Sequence, residues 1–218
     1  MNLLGLGKDS DKGSDKDNKK APEGGDEAAS AAGSDGGDDA GGSKVGNMPE
    51  GDYIIHVLII QAKSIHLEGE DTSDPFIKVS CMGQDKSSKN KNDISTDETV
   101  RFDEHIFLEY NGLKKEALGE ANIMFDIQNK GFFKGDDIGR FEIPLSKVYN
   151  MKDHALLNQT VGCNNVNSKD FSKITGYITV SVNVTGPGDE ALELKPGSAA
   201  EISKIKPLLP ASIKKVYK

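Results

Sequence analysis

Gly176-Tyr177-Ile178-Thr179-Val180-Ser181-Val182-Asn183-Val184-Thr185 is the most regular stretch of the chain. Ile178, Val180, Val182 and Val184 fall on one side, and Tyr177, Thr179, Ser181 and Asn183 on the other. A period of two residues means a β-strand, here with one dry face and one wet face. Such a strand needs partners of the same kind, and the residues upstream supply them. Tyr53–Ala62 is a β-branched apolar run of strand length. Phe76–Met82 places Ile77, Val79 and Cys81 on one face, and Val100–Tyr110 does the same with Val100, Phe102, Ile106, Leu108 and Tyr110. Ala121–Ile127 alternates through Ile123, Phe125 and Ile127, and Asp137–Leu145 and Leu156–Val161 are two further strands. A short edge strand is expected near Gln84–Lys89 and a short helical connection at Leu113–Leu118. About eight short strands separated by turn signals, with no long helical period, predict an all-β antiparallel sandwich.

Composition bounds what this sandwich does. The 218 residues carry a formal charge of −8, which argues against a generic nucleic-acid binder. An acidic chain also gets no net pull toward anionic lipid, so membrane contact requires a local site. The two cysteines, Cys81 and Cys163, are no disulfide framework and point to a reducing, cytoplasmic setting. The sequons at Asn158 and Asn183 are then coincidental. Met1–Gly7 lacks the basic and long apolar regions of a secretory signal, and Asn2 breaks the myristoylation pattern. The longest apolar stretch, within Tyr53–Ile60, is too short to span a bilayer.

Residues 1–51 form a low-complexity acidic tail, with eleven acidic and six basic side chains in residues 1–50, a net of −5. Such a segment buries too little apolar surface to offset its ordering entropy and is expected to be disordered. Residues 52–185 hold the sandwich. Residues 186–218 begin with Gly-Pro-Gly, carry Pro196, Pro207 and Pro210, and read as a linker or the start of a following region.

Three motifs narrow the class. Thr72-Ser73-Asp74-Pro75-Phe76-Ile77-Lys78-Val79 resembles the Ser-Asp-Pro-Tyr-Val-Lys-Val signature of C2 domains. Val100-Arg101-Phe102-Asp103-Glu104 resembles that family's aromatic-Asn-Glu strand entry, without the usual preceding proline. Asp136-Asp137-Ile138-Gly139-Arg140 resembles the step that follows the family's third loop. The first strand leads directly into the Ser-Asp-Pro loop and the strand at Gly176–Thr185 closes the domain. That order fits an eight-stranded C2-type β-sandwich of type II topology. Within the family, Gly176–Ser181 and the exit Val184-Thr185-Gly186-Pro187-Gly188-Asp189-Glu190 resemble the second C2 domain of ferlins.

The resemblance implies a peripheral membrane-binding module of vesicle fusion, membrane trafficking or repair, cytoplasmic and not an enzyme. Full-length ferlins are anchored by a C-terminal transmembrane helix that this chain does not contain. By alignment the candidate calcium ligands are Glu68, Asp74, Asp126 and Asp136, with Gln128 where the family carries another acid. Fewer charges imply weak affinity. Lys130, Phe132, Phe133 and Lys134 form a candidate membrane-contacting tip, because adjacent aromatics flanked by glycine and lysine suit the acyl boundary and the headgroups. Lys86, Lys89 and Lys91 are candidates for phosphoinositide binding, although lysines on an edge strand commonly guard against edge pairing. The implied partners are anionic phospholipid membranes and other C2 domains or fusion proteins, with no nucleic acid. The alternative is a calcium-independent protein–protein interaction domain. The four histidines have no metal-ligand spacing and no catalytic motif is present.

Overall fold

The computed structural model describes residues 48–131, 136–168, 170 and 172–210. The described residues all fall in one compact unit. Of the tail expected over residues 1–51, residues 1–47 lie outside the described set, as do the tip residues Phe132, Phe133 and Lys134 and residues 211–218; the expectation fails at the tail's end, where Met48 is buried in the core and Gly51 opens the first strand.

In chain order the elements are β1 (Gly51–Lys63), β2 (Thr72–Ser73), β3 (Pro75–Cys81), β4 (Gln84–Ser87), β5 (Ile94–Ser95), β6 (Thr99–Leu113), α1 (Lys115–Glu120), β7 (Asn122–Asn129) and β8 (Asp136–Pro144). Then follow α2 (Leu145–Tyr149), a 3-10 turn (Lys152–His154), β9 (Ala155–Asn164), β10 (Ile174–Thr185) and α3 (Ala199–Lys204). Eight of the strands are linked in the order β4-β3-β7-β8-β9-β10-β1-β6, and the short β2 and β5 pair with each other. Every strand pair is antiparallel. β8 and β9 meet only at Arg140↔Asn164, so the order divides into two four-stranded sheets. Ile77 and Phe125 from one sheet and Ile55, Val57, Val180 and Val182 from the other share one core and are fully buried. The alternation in the sequence accounts for this: each strand turns one apolar row inward.

The outer faces depart from simple alternation. Val57-Leu58-Ile59-Ile60 is buried throughout, so β1 is covered on both sides. Leu58 and Ile60 form a second cluster with Leu194 and Ile202, and Leu192 packs against it. The covering residues come from the segment after β10. Residues 186–210, expected to be a linker or the start of a following region, instead lie across the outer face of β9, β10 and β1 as a strap. Gly197 N–H donates to Asn158 Oδ1 at 2.8 Å, and Gln159 Nε2 donates to the Lys206 carbonyl at 2.9 Å. Leu208 bridges β9 in parallel, donating to the Thr160 carbonyl and accepting from Gly162 N–H. α3 is closed by a capping box between Ser198 and Glu201.

The strap also corrects the wet face expected for β10. Thr179, Ser181 and Asn183 are 2%, 0% and 2% exposed. They tolerate burial because each has a partner: Thr179 Oγ1 lies 3.0 Å from Thr160 Oγ1, Ser181 Oγ accepts from Asn158 N–H, and Asn183 Nδ2 donates to the Asp153 carbonyl. Polar alternation marks a face that needs hydrogen bonds, and here protein groups rather than water provide them.

Candidate functional site

One end of the sandwich gathers residues between β1 and β2, the adjoining ends of β7 and β8, and described residues between β9 and β10 around an open cavity of about 1010 Å³. Asp74 is fixed at its rim from three directions. Its N–H donates to Asn129 Oδ1 at 2.7 Å, its carbonyl accepts from Lys130 N–H, and its Oδ1 accepts from Asp93 N–H at 2.8 Å. Glu68 and Asp136 also line the cavity and are exposed. Lys130 lines it too, at the point where β7 ends. β7 and β8 are paired as far as Asn129↔Asp136.

Asp126 is placed elsewhere. It lies within β7, on the face opposite Phe125 and Ile127, directly across from Lys78 on β3 and Arg140 on β8. Lys78, Asp126 and Arg140 therefore make one cross-strand row of alternating charge, an arrangement in which opposite charges directly opposed are favourable. Arg140 Nε donates to Asp126 Oδ1 at 2.5 Å, with the carboxylate side chain 6% exposed and the guanidinium side chain 42% exposed. The bonded carboxylate raises the pKa of Arg140. Gln128, the next residue on that face, donates from Nε2 to Asp137 Oδ1 at 3.1 Å, and Asp137 lines the cavity.

The donor set does not fit calcium as it stands. The ion requires six to eight oxygens, several of them carboxylate. Of the four candidate ligands, Glu68, Asp74 and Asp136 line the cavity and Asp126 does not. Asp126 is already engaged by a cation on its own sheet. Among the described residues no group of three or more His, Cys, Asp or Glu side chains is placed to hold a metal ion. The hydroxyl of Ser73 is buried in the cavity wall without a partner among the described residues. Glu70, Asp93, Asp137 and Asp170 line the same cavity, but none of them gathers with two other such side chains into a metal-holding group.

The candidate phosphoinositide lysines are dispersed. Lys86 is exposed on β4 and pairs with Val79. Lys89 N–H is held by the Glu104 carboxylate at 3.0 Å. The Lys91 ammonium stands 5.3 Å from the centre of the Phe102 ring, a cation–π contact that keeps it against the protein.

Two features escaped the motifs. Arg140 was legible only as the last residue of the Asp-Ile-Gly step, because nothing local links it to Asp126. On the outer face of β1 and β6, His56 Nε2 lies 2.8 Å from His105 Nδ1, and the His56 ring stacks on Phe107 at 4.2 Å. Burial, and secondarily the charge of His105, push the pKa of His56 below its ordinary value, while the Leu192 backbone acts in the opposite direction. The alternation of β1 placed His56 opposite the core, but its partner on β6 depends on register.

With this geometry in place, the comparison with known proteins is direct. Residues 53–163 match the C2 domain family, and the chain belongs to it. Among solved structures it is similar to a piece of extended synaptotagmin 2 comprising the SMP domain and two C2 domains, at 12% identity and a TM-score of 0.47, over 65% of this chain and 28% of that one. It is also similar to a C2 domain of plant extended synaptotagmin 1 at 15% identity and a TM-score of 0.45, over 63% of this chain and 96% of that one. A C2 domain-containing protein from a putative elicitor-responsive gene matches at 22% identity and a TM-score of 0.46, over 66% of this chain and 96% of that one. The chain thus spans little more than a quarter of the extended synaptotagmin 2 structure. No helix among the described residues is long and apolar enough to cross a membrane.

Proposed function

We propose that this C2 domain is a binding module that docks reversibly on anionic phospholipid membranes, as part of a ferlin-like protein of membrane trafficking or repair. What supports this most is the sequence between Asn129 and Asp136, the last paired residues of β7 and β8, together with Lys130 in the cavity lining. That stretch is Lys-Gly-Phe-Phe-Lys-Gly. Burying one Phe side chain yields roughly 1.5–3 kcal/mol. A lysine near anionic lipid adds about 1 kcal/mol. Partial insertion of this tip gives weak docking of the kind that serves modules acting in tandem. Lys86 and Lys89 add headgroup contacts on the β4 side. No calcium step enters this reading: the candidate ligand Asp126 is bonded to Arg140, and no three acidic side chains among the described residues are placed together to hold a metal ion.

Co-sedimentation of the full chain with phosphatidylserine-containing liposomes tests this reading. The expected result is binding in chelator that is lost in Phe132→Ser/Phe133→Ser. Absence of binding, with chelator and with calcium alike, would overturn the membrane role and favour the protein-interaction alternative.

A further inference from the structure

Asp126 and Arg140 carry an inference that does not depend on membrane docking. Asp126 is a nearly buried carboxylate on the polar face of β7, one same-face position from Gln128, which is bonded to the cavity-lining Asp137. A step of two residues along a strand is about 7 Å. A carboxylate so close to the cavity is within reach of it only if free to turn that way. A buried, unpaired carboxylate is costly, so it takes whichever cation is available. Arg140 is that cation: it is covalently tethered, fixed opposite Asp126 by strand register, and bonded at 2.5 Å. Lys78 flanks the same carboxylate on its other side in the row.

We propose that Arg140 is a built-in counter-cation that holds Asp126 on the sheet and makes this C2 domain insensitive to calcium. A tethered guanidinium is always charged and always present. The electrostatics at this end of the sandwich are then constant, whereas a metal site would switch with calcium concentration.

The test is calcium titration of the full chain, read by thermal unfolding and by the NMR signal of the Arg140 side-chain N–H. For the unsubstituted protein, millimolar calcium is expected to leave Tm unchanged and the Arg140 signal in place. In Arg140→Gln, which frees Asp126, calcium is expected to raise Tm, and Arg140→Gln/Asp126→Asn should abolish that rise. Arg140→Lys keeps the charge and should remain unresponsive. The proposal is overturned if calcium raises Tm of the unsubstituted protein. It is equally overturned if Arg140→Gln folds and gains no calcium response. Should Arg140→Gln fail to fold, the Arg140 N–H signal decides: displacement by calcium sinks the proposal, and persistence supports it.

Discussion

The Asn158 side chain and Gly197 are joined by a hydrogen bond of 2.8 Å, from the Gly197 N–H to Asn158 Oδ1, and their contact is so close that a Cβ on Gly197 would lie 2.8 Å from Asn158 Cγ. This is where the strap is pinned to β9. The absence of a side chain at residue 197 is therefore a packing requirement.

Gly197→Ala is expected to force the strap away from Asn158 and to destabilise the domain by about 1–3 kcal/mol, the usual range for overpacking. Asn158→Ala removes the acceptor without a clash and should cost about 1 kcal/mol. Urea unfolding of the two variants checks the order, and an unaffected Gly197→Ala would mean that the strap is not held at this point.

Leu194 is 2% exposed and seals Leu58 and Ile60 on the outer face of β1. Leu194→Asp would place a charge against that cluster or expel the strap from it, forfeiting burial of roughly 1.5–3 kcal/mol. Limited proteolysis should then cut within residues 186–198 in the variant and spare the unsubstituted chain.

His56 gives the stability a pH dependence of known sign. Its folded-state pKa lies below the unfolded value of about 6.5. Between the two values the unfolded chain holds more protons than the folded one, so stability rises with pH through that window. The contribution is complete above about pH 6.5 and is lost as the solution is acidified toward the lowered pKa of His56. Tm measured at successive pH values downward from about pH 7.5 should show the decline begin near the ordinary histidine pKa of about 6.5, and His56→Gln should flatten it.

Both thiols are buried in the core. Burial raises the Cys81 thiol to about 12, against a smaller opposing effect from Tyr110, and raises Cys163 further. Thiolate is the reactive form. A thiol-specific disulfide reagent is expected to label neither cysteine at about pH 8, near the ordinary thiol pKa, until denaturant unfolds the protein.

Much of the sandwich was legible in the sequence because it rests on local alternation. Ile77-Lys78-Val79 and Ile123-Met124-Phe125 announce their inward rows without reference to any partner. The helical connection expected at Leu113–Leu118 appears as α1, Lys115–Glu120, and the edge strand near Gln84–Lys89 as β4, Gln84–Ser87. The candidate site was less legible. Aligned motifs name Asp126 as an acid, but they do not state which way it is neutralised.

What the sequence determined by itself is the eight strands of the main order, the inward rows of those that alternate clearly, and the family signature around Ser73-Asp74-Pro75; the short β2 and β5 were not foreseen. The features it determined are properties of near neighbours along the chain. Only the tertiary structure decided that residues 186–210 cover Leu58 and Ile60, that Thr179, Ser181 and Asn183 are dry, and that Asp126 belongs to Arg140. Each depends on what lies across from a residue, and hence on strand register and on the return of a distant segment. A two-residue period is blind to both.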